Sequence, residues 1–493
     1  MSRPLPTVLA AVVSRWDGPV VAAVEGSRRL TVARRCADLV DLLSAAGAGL
    51  GRVALVSGQL RGLTLSAVAS LRESGVEVVG LAEPDDESDE LRLWQLGVHA
   101  VVSATAPPDE LIDALLAAAG ASAATGSPAR GLLGEGSATS DASAGGADRA
   151  PQDGPDLGAA EGILVGTPPP TPAADLPQRH TPGRLLVVWG PTGAPGRTSV
   201  AVNLAAELAV LGRQVLLVDA DTYGGSVAQT LALLDEAPGI AAAARLADQG
   251  LLDVSTMSRQ SLEVRPRLRV LTGIARAQRW TEIRGAALER VLQVCRGLAD
   301  IVVVDVGFCL EDDEELSYDT QAPRRNEATL TALQSADAAI AVGGCDPLAL
   351  QRLIRGLEEL GTVRAPTPLV VVNRLRSGPV GSPPERRVAD ALARFAGITE
   401  VVTIPDDPVA FDAGMLARRA LAEIVPTSAA RRALAELARR VALEAAVPDS
   451  DSGVAAVGAA TRAGRTQGRA GAPAGPRSGG GRPTRRRWWP GRG

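Results

Sequence analysis

The chain has 493 residues, of which 46% are apolar, 22% charged and only 2% aromatic. This length corresponds to about three domain-sized stretches, and the composition excludes a coiled coil, a collagenous chain and a disulfide scaffold. All 51 basic residues are Arg and the net charge is −5, but residues 447–493 carry nine Arg against Asp449 and Asp451, or +7, which leaves −12 elsewhere.

Residues 1–119 alternate short apolar runs with helical patterns. The predicted strands are Val8–Val13, Val53–Val56, Val76–Val79 and Ala100–Val102. The predicted helical faces are Val32, Cys36, Leu39, Val40 and Leu43, and later Ile112, Leu115 and Leu116. Such alternation indicates a small parallel α/β sheet. It resembles the response-regulator receiver fold, but Ser57 and Gly58 stand where that family keeps its phosphorylated Asp. We therefore expect a docking or dimerisation module that is not phosphorylated.

Residues 120–182 are predicted to be a disordered linker. Gly, Ala, Ser, Pro and Thr supply 43 of these 63 residues, and no periodic apolar pattern runs through them. Such a segment buries too little surface to offset the entropy of ordering. Residues 447–493 are predicted to be a second disordered segment, an Arg-rich tail.

Residues 183–446 are predicted to form a second parallel α/β domain. Its expected strands are Leu185–Val188, Val215–Val218, Leu268–Leu271, Ile301–Val304, Ala338–Val342 and Leu369–Val372. Near-continuous apolar strands separated by helices indicate a sheet with both faces covered. In such sheets ligands bind beyond the carboxyl ends of the strands.

A glycine-rich loop follows the first of these strands, GPTGAPGRTS at residues 190–199, and a helix is predicted from Val200 to Leu211. Successive backbone N–H groups in such a turn, with the helix N-terminus, form a cradle for phosphate. Gly193 and Gly196 supply backbone freedom, Arg197 supplies charge, and the Thr198 hydroxyl is placed to bind Mg²⁺.

Acidic residues follow two neighbouring strands at the same predicted edge. Asp219 and Asp221 come after one strand, and Asp305 ends the strand Ile301–Val304. Carboxylates beside a phosphate loop are what a Mg-nucleotide site requires.

These residues resemble the MinD/ParA class of deviant-Walker ATPases, and within it the CpaE/TadZ-like branch, over about residues 183–446. In the family's terms GAPGRTS resembles the G-G-x-G-K-T-T loop, Asp219 and Asp221 the switch I acids, and Asp305 the Walker B Asp. Asn373 matches the adenine-contacting Asn, and Ile404 to Pro408 the purine loop. The implied nucleotide-binding set is Gly193, Ala194, Pro195, Gly196, Arg197, Thr198, Ser199, Asn373, Pro405 and Asp406. The implied metal ligands are Thr198, Asp219 and Asp305, and the implied catalytic residues are Asp221, which orients water, and Arg197, which stabilises phosphate charge.

The sequence departs from the family pattern at three positions of the loop. Pro191 replaces the first P-loop Gly, Arg197 replaces the Walker Lys, and Thr192 stands where members usually carry a signature Lys. A planar guanidinium fork fits a phosphate cradle differently from a compact ammonium. ATP and Mg²⁺ binding is the prediction, and efficient hydrolysis stays open.

Three further segments carry candidate contacts. The acidic run Glu311–Glu315 is expected to be a solvated loop, with a contact surface for a basic partner or for the chain's own tail as the alternative. Ser428–Glu444 is expected to form an amphipathic helix that seals the second domain, with a membrane anchor as the alternative. The tail, with Trp488 and Trp489 beside clustered Arg, suits an anionic membrane surface or non-specific nucleic acid, or it is an inert solubilising segment.

The expected location is the cytosol, with peripheral association at the inner face of the plasma membrane. No apolar run reaches 18 residues, residues 1–26 lack the pattern of a secretory signal, and the four cysteines show no C-x-x-C spacing.

The resemblance implies a nucleotide-dependent homodimer that positions a membrane-associated assembly, in this branch the Flp/Tad pilus machinery. The alternatives are a chromosome-partition or septum-placement ATPase, and an inactive scaffold that binds nucleotide or protein.

Overall fold

The computed structural model describes residues 5–12, 14–125, 181–193, 195–233, 238–312 and 323–444. Over these residues the strands form two sheets, one of five strands and one of eight. The described residues of both sheets belong to one compact unit. The predicted linker, apart from its ends, and the predicted tail lie outside the described residues.

The first sheet is parallel throughout, with strand order β2-β1-β3-β4-β5. This is the doubly wound order of flavodoxin-like folds, in which helices cover both faces. Its strands are β1 (Thr7–Ala11), β2 (Thr31–Arg35), β3 (Val53–Ser57), β4 (Glu77–Ala82) and β5 (Ala100–Ser103). Its helices are α1 (Ser14–Gly26), α2 (Leu39–Gly47), α3 (Leu65–Glu73), α4 (Glu87–Gln95) and α5 (Pro108–Thr125).

The second sheet has the order β13-β12-β11-β6-β10-β7-β9-β8, and within it only the edge pair β8–β9 is antiparallel over the described residues. Its strands are β6 (Arg184–Trp189), β7 (Val215–Ala220), β8 (Leu262–Arg265), β9 (Leu268–Leu271), β10 (Ile301–Val306), β11 (Ala338–Gly344), β12 (Leu369–Leu375) and β13 (Val401–Pro405).

The helices of the second sheet follow the strands in alternation. They are α6 (Arg197–Val210), α7 (Val227–Thr230), α8 (Gly239–Asp248), α9 (Val254–Gln260), α10 (Gly285–Leu298), α11 (Glu327–Gln334), α12 (Pro347–Leu360), α13 (Ser377–Val380), α14 (Pro384–Ala396), α15 (Pro408–Ala417), α16 (Leu421–Ile424) and α17 (Ala429–Glu444). A 3₁₀ helix covers Ala277–Glu282.

Both faces of the second sheet are covered, as the apolar strands predict. Helices α6 and α17 pack on one face, and α8, α10, α11, α12 and α14 bury the other. Helix α17 buries Leu434, Leu437 and Val441 against α6, which confirms that this segment seals the second domain. Among the described residues no helix has the length and apolarity that crossing a bilayer would require.

The prediction for residues 32–43 was wrong in part. Thr31–Arg35 is the edge strand β2, the helix begins only at Leu39, and Val40 is exposed. Val32 and Cys36 are four residues apart, a spacing that a helix face and an irregular edge strand share. Strands β8 and β13 were not predicted, because each is a short edge strand with mostly half-exposed residues.

The two sheets contact each other through their helices. Helix α3 packs on α8 and α10, and Leu96 lies against Gly250. The Asp248 carboxylate accepts hydrogen bonds from the Ser66 N–H at 2.9 Å and from the Ser66 hydroxyl at 2.6 Å. The first domain therefore sits on the α8–α10 face of the second.

Candidate functional site

The glycine-rich loop joins the central strand β6 to helix α6 at the carboxyl edge of the second sheet. Gly193 and Gly196 have φ of +105° and +95°, values that other residues rarely adopt. Gly196 is the N-cap of α6 and supplies no side-chain cap, so the first-turn N–H groups of the helix point into the loop without an intrahelical partner. This is the geometry of an anion cradle. Ala194 lies outside the described residues.

Arg197 is folded back against the loop that it follows. One terminal nitrogen, Nη1, donates to the carbonyl oxygens of Gly190 at 3.0 Å and Pro191 at 3.3 Å. The other, Nη2, pairs with Asp221 Oδ2 at 3.4 Å. The side chains of Arg197 and Asp221 are 13% and 6% exposed, so this ion pair is largely buried. The Nε of Arg197 is buried and has no hydrogen-bond partner among the described residues.

Thr198 and Asp305 meet next to the loop. The Thr198 hydroxyl donates to Asp305 Oδ2 at 2.6 Å, and Ser226 Oγ lies 3.4 Å from the same hydroxyl. Asp305 is fully buried, and within the described structure its Oδ1 has no hydrogen-bond partner. A buried, unpartnered carboxylate oxygen beside a hydroxyl and a phosphate cradle fits a hydrated Mg²⁺ ion.

The acids of the site lie on adjacent strands. Asp305 and Asp219 are paired across β10 and β7, and burial, reinforced by the charge of Asp219, raises the pKa of Asp305. Burial also raises the pKa of Asp219, to about 7, while the backbone N–H of Val227 opposes the rise. The Arg197 guanidinium counteracts the rise at Asp305.

Asp219 is engaged by the backbone of its own loop. Its Oδ1 accepts from the Asp221 N–H at 3.2 Å and its Oδ2 from the Val227 N–H at 3.1 Å. Both oxygens therefore shape the segment after β7, and the metal-binding role of Asp219 stays a prediction. Within the described ranges no three His, Cys, Asp or Glu side chains form a metal cage. Thr198 and Asp305 are candidate ligands for Mg²⁺ because their hydrogen bond leaves the second Asp305 oxygen unpartnered among the described residues.

Asp221 connects this site to a cluster of aromatic residues. Its Oδ1 accepts from the backbone N–H of Tyr223 at 2.8 Å. The Tyr223 ring lies 4.9 Å from Phe308, which follows β10, and its hydroxyl donates to Asn326 Oδ1 at 2.6 Å. Arg325 stacks on Tyr223 at 3.8 Å and donates to the Thr222 carbonyl at 3.0 Å. The segments after β7 and β10 are thus linked directly.

Sequence reasoning missed this cluster, although a signal was present. Aromatic residues are only 2% of the chain, and two of them follow the site acids at Tyr223 and Phe308.

Of the acidic run 311–315, Glu311 and Asp312 are exposed, and the rest lies outside the described residues. Asp312 pairs with Arg324 at 3.3 Å.

Asn373 lies under the loop. It is buried, and its Nδ2 donates to the Pro195 carbonyl at 2.9 Å. A side chain on Gly196 would approach this nitrogen within 2.5 Å. The Oδ1 of Asn373 is buried and has no partner within the described residues. Its predicted contact with adenine stays a prediction.

Pro405 and Asp406 close the same edge of the sheet. Pro405 is paired with Leu375 at the end of β12, and Asp406 accepts from Arg376 at 3.0 Å. Ser199 lies in the first turn of α6. The structure therefore brings all described members of the predicted nucleotide-binding set to the carboxyl edge of β6, β12 and β13.

The corresponding edge of the first sheet is filled by the chain itself. Ser57 ends β3, and the Asp89 carboxylate lies against Gly58 and accepts from the Glu83 N–H at 3.0 Å. Arg92 caps the Gly58 carbonyl. Ser57 and Gly58 carry no carboxylate themselves, and the carboxylate beside Gly58 is that of Asp89.

No family model matches the chain. A curated protein, the iron–sulfur cluster carrier protein of Deinococcus radiodurans, is 48% identical over 59 residues, or 12% of this chain. The chain spans about a sixth of the length of that relative, 17%.

Solved structures are similar to just over half of the chain. The septum site-determining protein MinD of Pyrococcus horikoshii, complexed with Mg-ADP, is 20% identical and covers 54% of this chain and 98% of its own, with a TM-score of 0.43. A ParA family ATPase of Chlorobium tepidum is 17% identical and covers 53% and 99%, with a TM-score of 0.45. The McdA(D38A)–ATP complex of Cyanothece is 14% identical and covers 52% and 96%, with a TM-score of 0.41. The fold itself is defined by the strand order and loop geometry described above.

Proposed function

We propose that this chain binds Mg-ATP at the carboxyl edge of its second sheet and works as a P-loop ATPase of the MinD/ParA class. The observation that carries the proposal is the hydrogen bond from Thr198 to Asp305, made beside an uncapped helix N-terminus, with the second Asp305 oxygen buried and unpartnered. These are the hydroxyl, carboxylate and cradle that a Mg-nucleotide site uses.

The position of each residue in the site indicates its role in binding phosphate, Mg²⁺ or water. The loop and the first turn of α6 bind the phosphates through backbone N–H groups, and Thr198 and Asp305 hold Mg²⁺, which supplies charge neutralisation on the phosphate oxygens. Asp221 is held by two backbone N–H groups at 2.8 and 3.1 Å, which orients its carboxylate for positioning water. Arg197 already carries positive charge into the loop.

Nucleotide binding is expected to change the hydrogen-bond partners of Arg197. Its fork is used by two loop carbonyls and by Asp221 in this structure. Phosphate oxygens are better acceptors for a guanidinium than neutral carbonyls. Binding would therefore shift Arg197 onto phosphate and release the Asp221 carboxylate, which couples occupancy of the site to the segment after β7.

The test is calorimetric titration of the full chain with Mg-ATP, followed by a phosphate-release assay. We expect saturable binding by the parent and a loss of at least tenfold in Thr198→Val, because the variant removes the hydroxyl that contacts Asp305. Thr331→Val on α11 is the matched control, since the Thr331 hydroxyl makes no hydrogen bond to a loop residue among those described. No binding by the parent at millimolar Mg-ATP would refute the proposal.

A second candidate is an inactive scaffold, which the engaged fork of Arg197 and the presence of Pro191 favour. In that case Arg197 is a structural residue of the loop, and the two domains serve as protein-binding platforms. Binding of ATP without phosphate release would select this candidate. Measurable turnover that disappears in Asp221→Asn would select the ATPase.

We also propose the finer assignment to the CpaE/TadZ-like branch. The support is the order of the chain, with a flavodoxin-like domain that lacks a phosphorylated Asp docked on a P-loop domain. In this role an ATP-dependent homodimer would localise a membrane-associated assembly such as the Flp/Tad pilus machinery, from the cytosolic side. Sedimentation of the full chain with and without Mg-ATP tests dimerisation. Loss of the cellular localisation of pilus components on deletion tests the role.

A further inference from the structure

We propose that Arg352 is a further anion-binding residue of this site, contacting the terminal phosphate of the nucleotide from the outer side of the loop. The inference rests on the proposed function and adds to it a residue that no sequence pattern singled out.

Helix α12 places Arg352 beside the loop. The helix follows β11 at the carboxyl edge of the sheet, buries Leu353 and packs Gly356 against Trp189 and Pro191. This packing fixes the helix along the first half of the loop. The atoms nearest to Gly193 on its open side all belong to Arg352: a Cβ built there would overlap Nη1 and lie 3.5 Å from Cζ.

No described acid neutralises the guanidinium of Arg352. Within the described residues it makes no hydrogen bond or ion pair, and its side chain is exposed. The positions three and four residues away on the helix are Leu348, Ala349, Arg355 and Gly356, so none of these helix neighbours is an acid and one carries like charge. An anion at the loop would relieve this excess of charge.

Arg352 and Arg197 approach the loop from different sides. Arg197 is buried beneath the loop and bonded to its carbonyls, whereas Arg352 is exposed and touches Gly193. Thr192, next to Gly193, contributes no charge. A phosphate deep in the cradle would therefore contact the helix N-terminus and Arg197. The outermost phosphate would contact Arg352.

The experiment titrates the full chain with Mg-ATP and Mg-ADP, comparing the parent, Arg352→Ala and Arg355→Ala. The second variant removes the same charge from the same helix, three residues away. We expect Arg352→Ala to weaken Mg-ATP binding about tenfold and Mg-ADP binding less than twofold, since one charge-assisted hydrogen bond is lost. Arg355→Ala should change neither by more than twofold.

Each other outcome overturns the inference. Equal losses of Mg-ATP affinity in Arg352→Ala and Arg355→Ala would mean that the positive charge of the helix acts at long range and that Arg352 makes no direct contact. Equal losses for Mg-ATP and Mg-ADP would remove the assignment to the terminal phosphate, and unchanged binding in Arg352→Ala would remove the contact altogether. If the parent binds neither nucleotide, the proposed function fails first. Thermal unfolding at the parent temperature confirms that the variants are folded.

Discussion

Replacing Arg197 by Ala should destabilise the chain before any nucleotide is added. The guanidinium donates hydrogen bonds to two loop carbonyls and forms an ion pair with the Asp221 carboxylate, and this ion pair is largely buried. Removing one partner of a buried pair leaves an uncompensated charge, at a cost of about 3–5 kcal/mol. Because Asp221 keeps two backbone donors, we expect the lower end, about 3 kcal/mol. For a domain of this size that lowers the midpoint of thermal unfolding by about 6–12 °C.

The assay is thermal unfolding of the parent, Arg197→Ala, Asp221→Asn and the double variant, without nucleotide. The double variant should recover part of the loss, with a coupling energy of about 1–3 kcal/mol, because it removes the stranded charge. Arg386→Ala is the control: it breaks an exposed pair with Asp390 and should cost less than about 0.5 kcal/mol. If Arg197→Ala unfolds at the parent temperature, Arg197 does not hold the loop, and the account of its pairing is wrong.

Three further outcomes are expected. Because burial raises the pKa of Asp219, the folded chain keeps a proton that the unfolded chain releases. The free energy of unfolding should therefore fall as pH rises from about 4 to about 7. A fall of equal slope in Asp219→Asn would contradict this. Tyr223→Phe removes the hydrogen bond to Asn326 at a cost of about 1 kcal/mol and should speed hydrogen exchange in residues 221–227 and 305–311, with no change in the first domain. Ser66→Ala should increase exchange in α3 and α8 without altering Mg-ATP affinity, and slower exchange there would count against the contact with Asp248.

Elements with many buried residues could be predicted from the sequence. All six strands predicted in the second domain are present, because each lies inside the sheet and is a run of Val, Leu, Ile and Ala, interrupted only at Arg269 of β9. The edge strands β2, β8 and β13 were misread or missed, since half-exposed strands show weak periodicity. Helix α5 also continues to Thr125, beyond the predicted domain end at residue 119.

Within the site, the sequence by itself determined which chemistry meets at one sheet edge. A glycine-rich loop between a buried strand and a helix, with acids after neighbouring strands, places Thr198, Asp219 and Asp305 together whatever else the chain does, because the carboxyl ends of parallel strands share an edge. Only the tertiary structure decided that Arg197 turns back onto Asp221, that Tyr223 meets Phe308, and that Arg352 lies over Gly193. These contacts join segments 24 to 159 residues apart in the chain, and their geometry depends on how helices pack on the sheet, which no local pattern encodes.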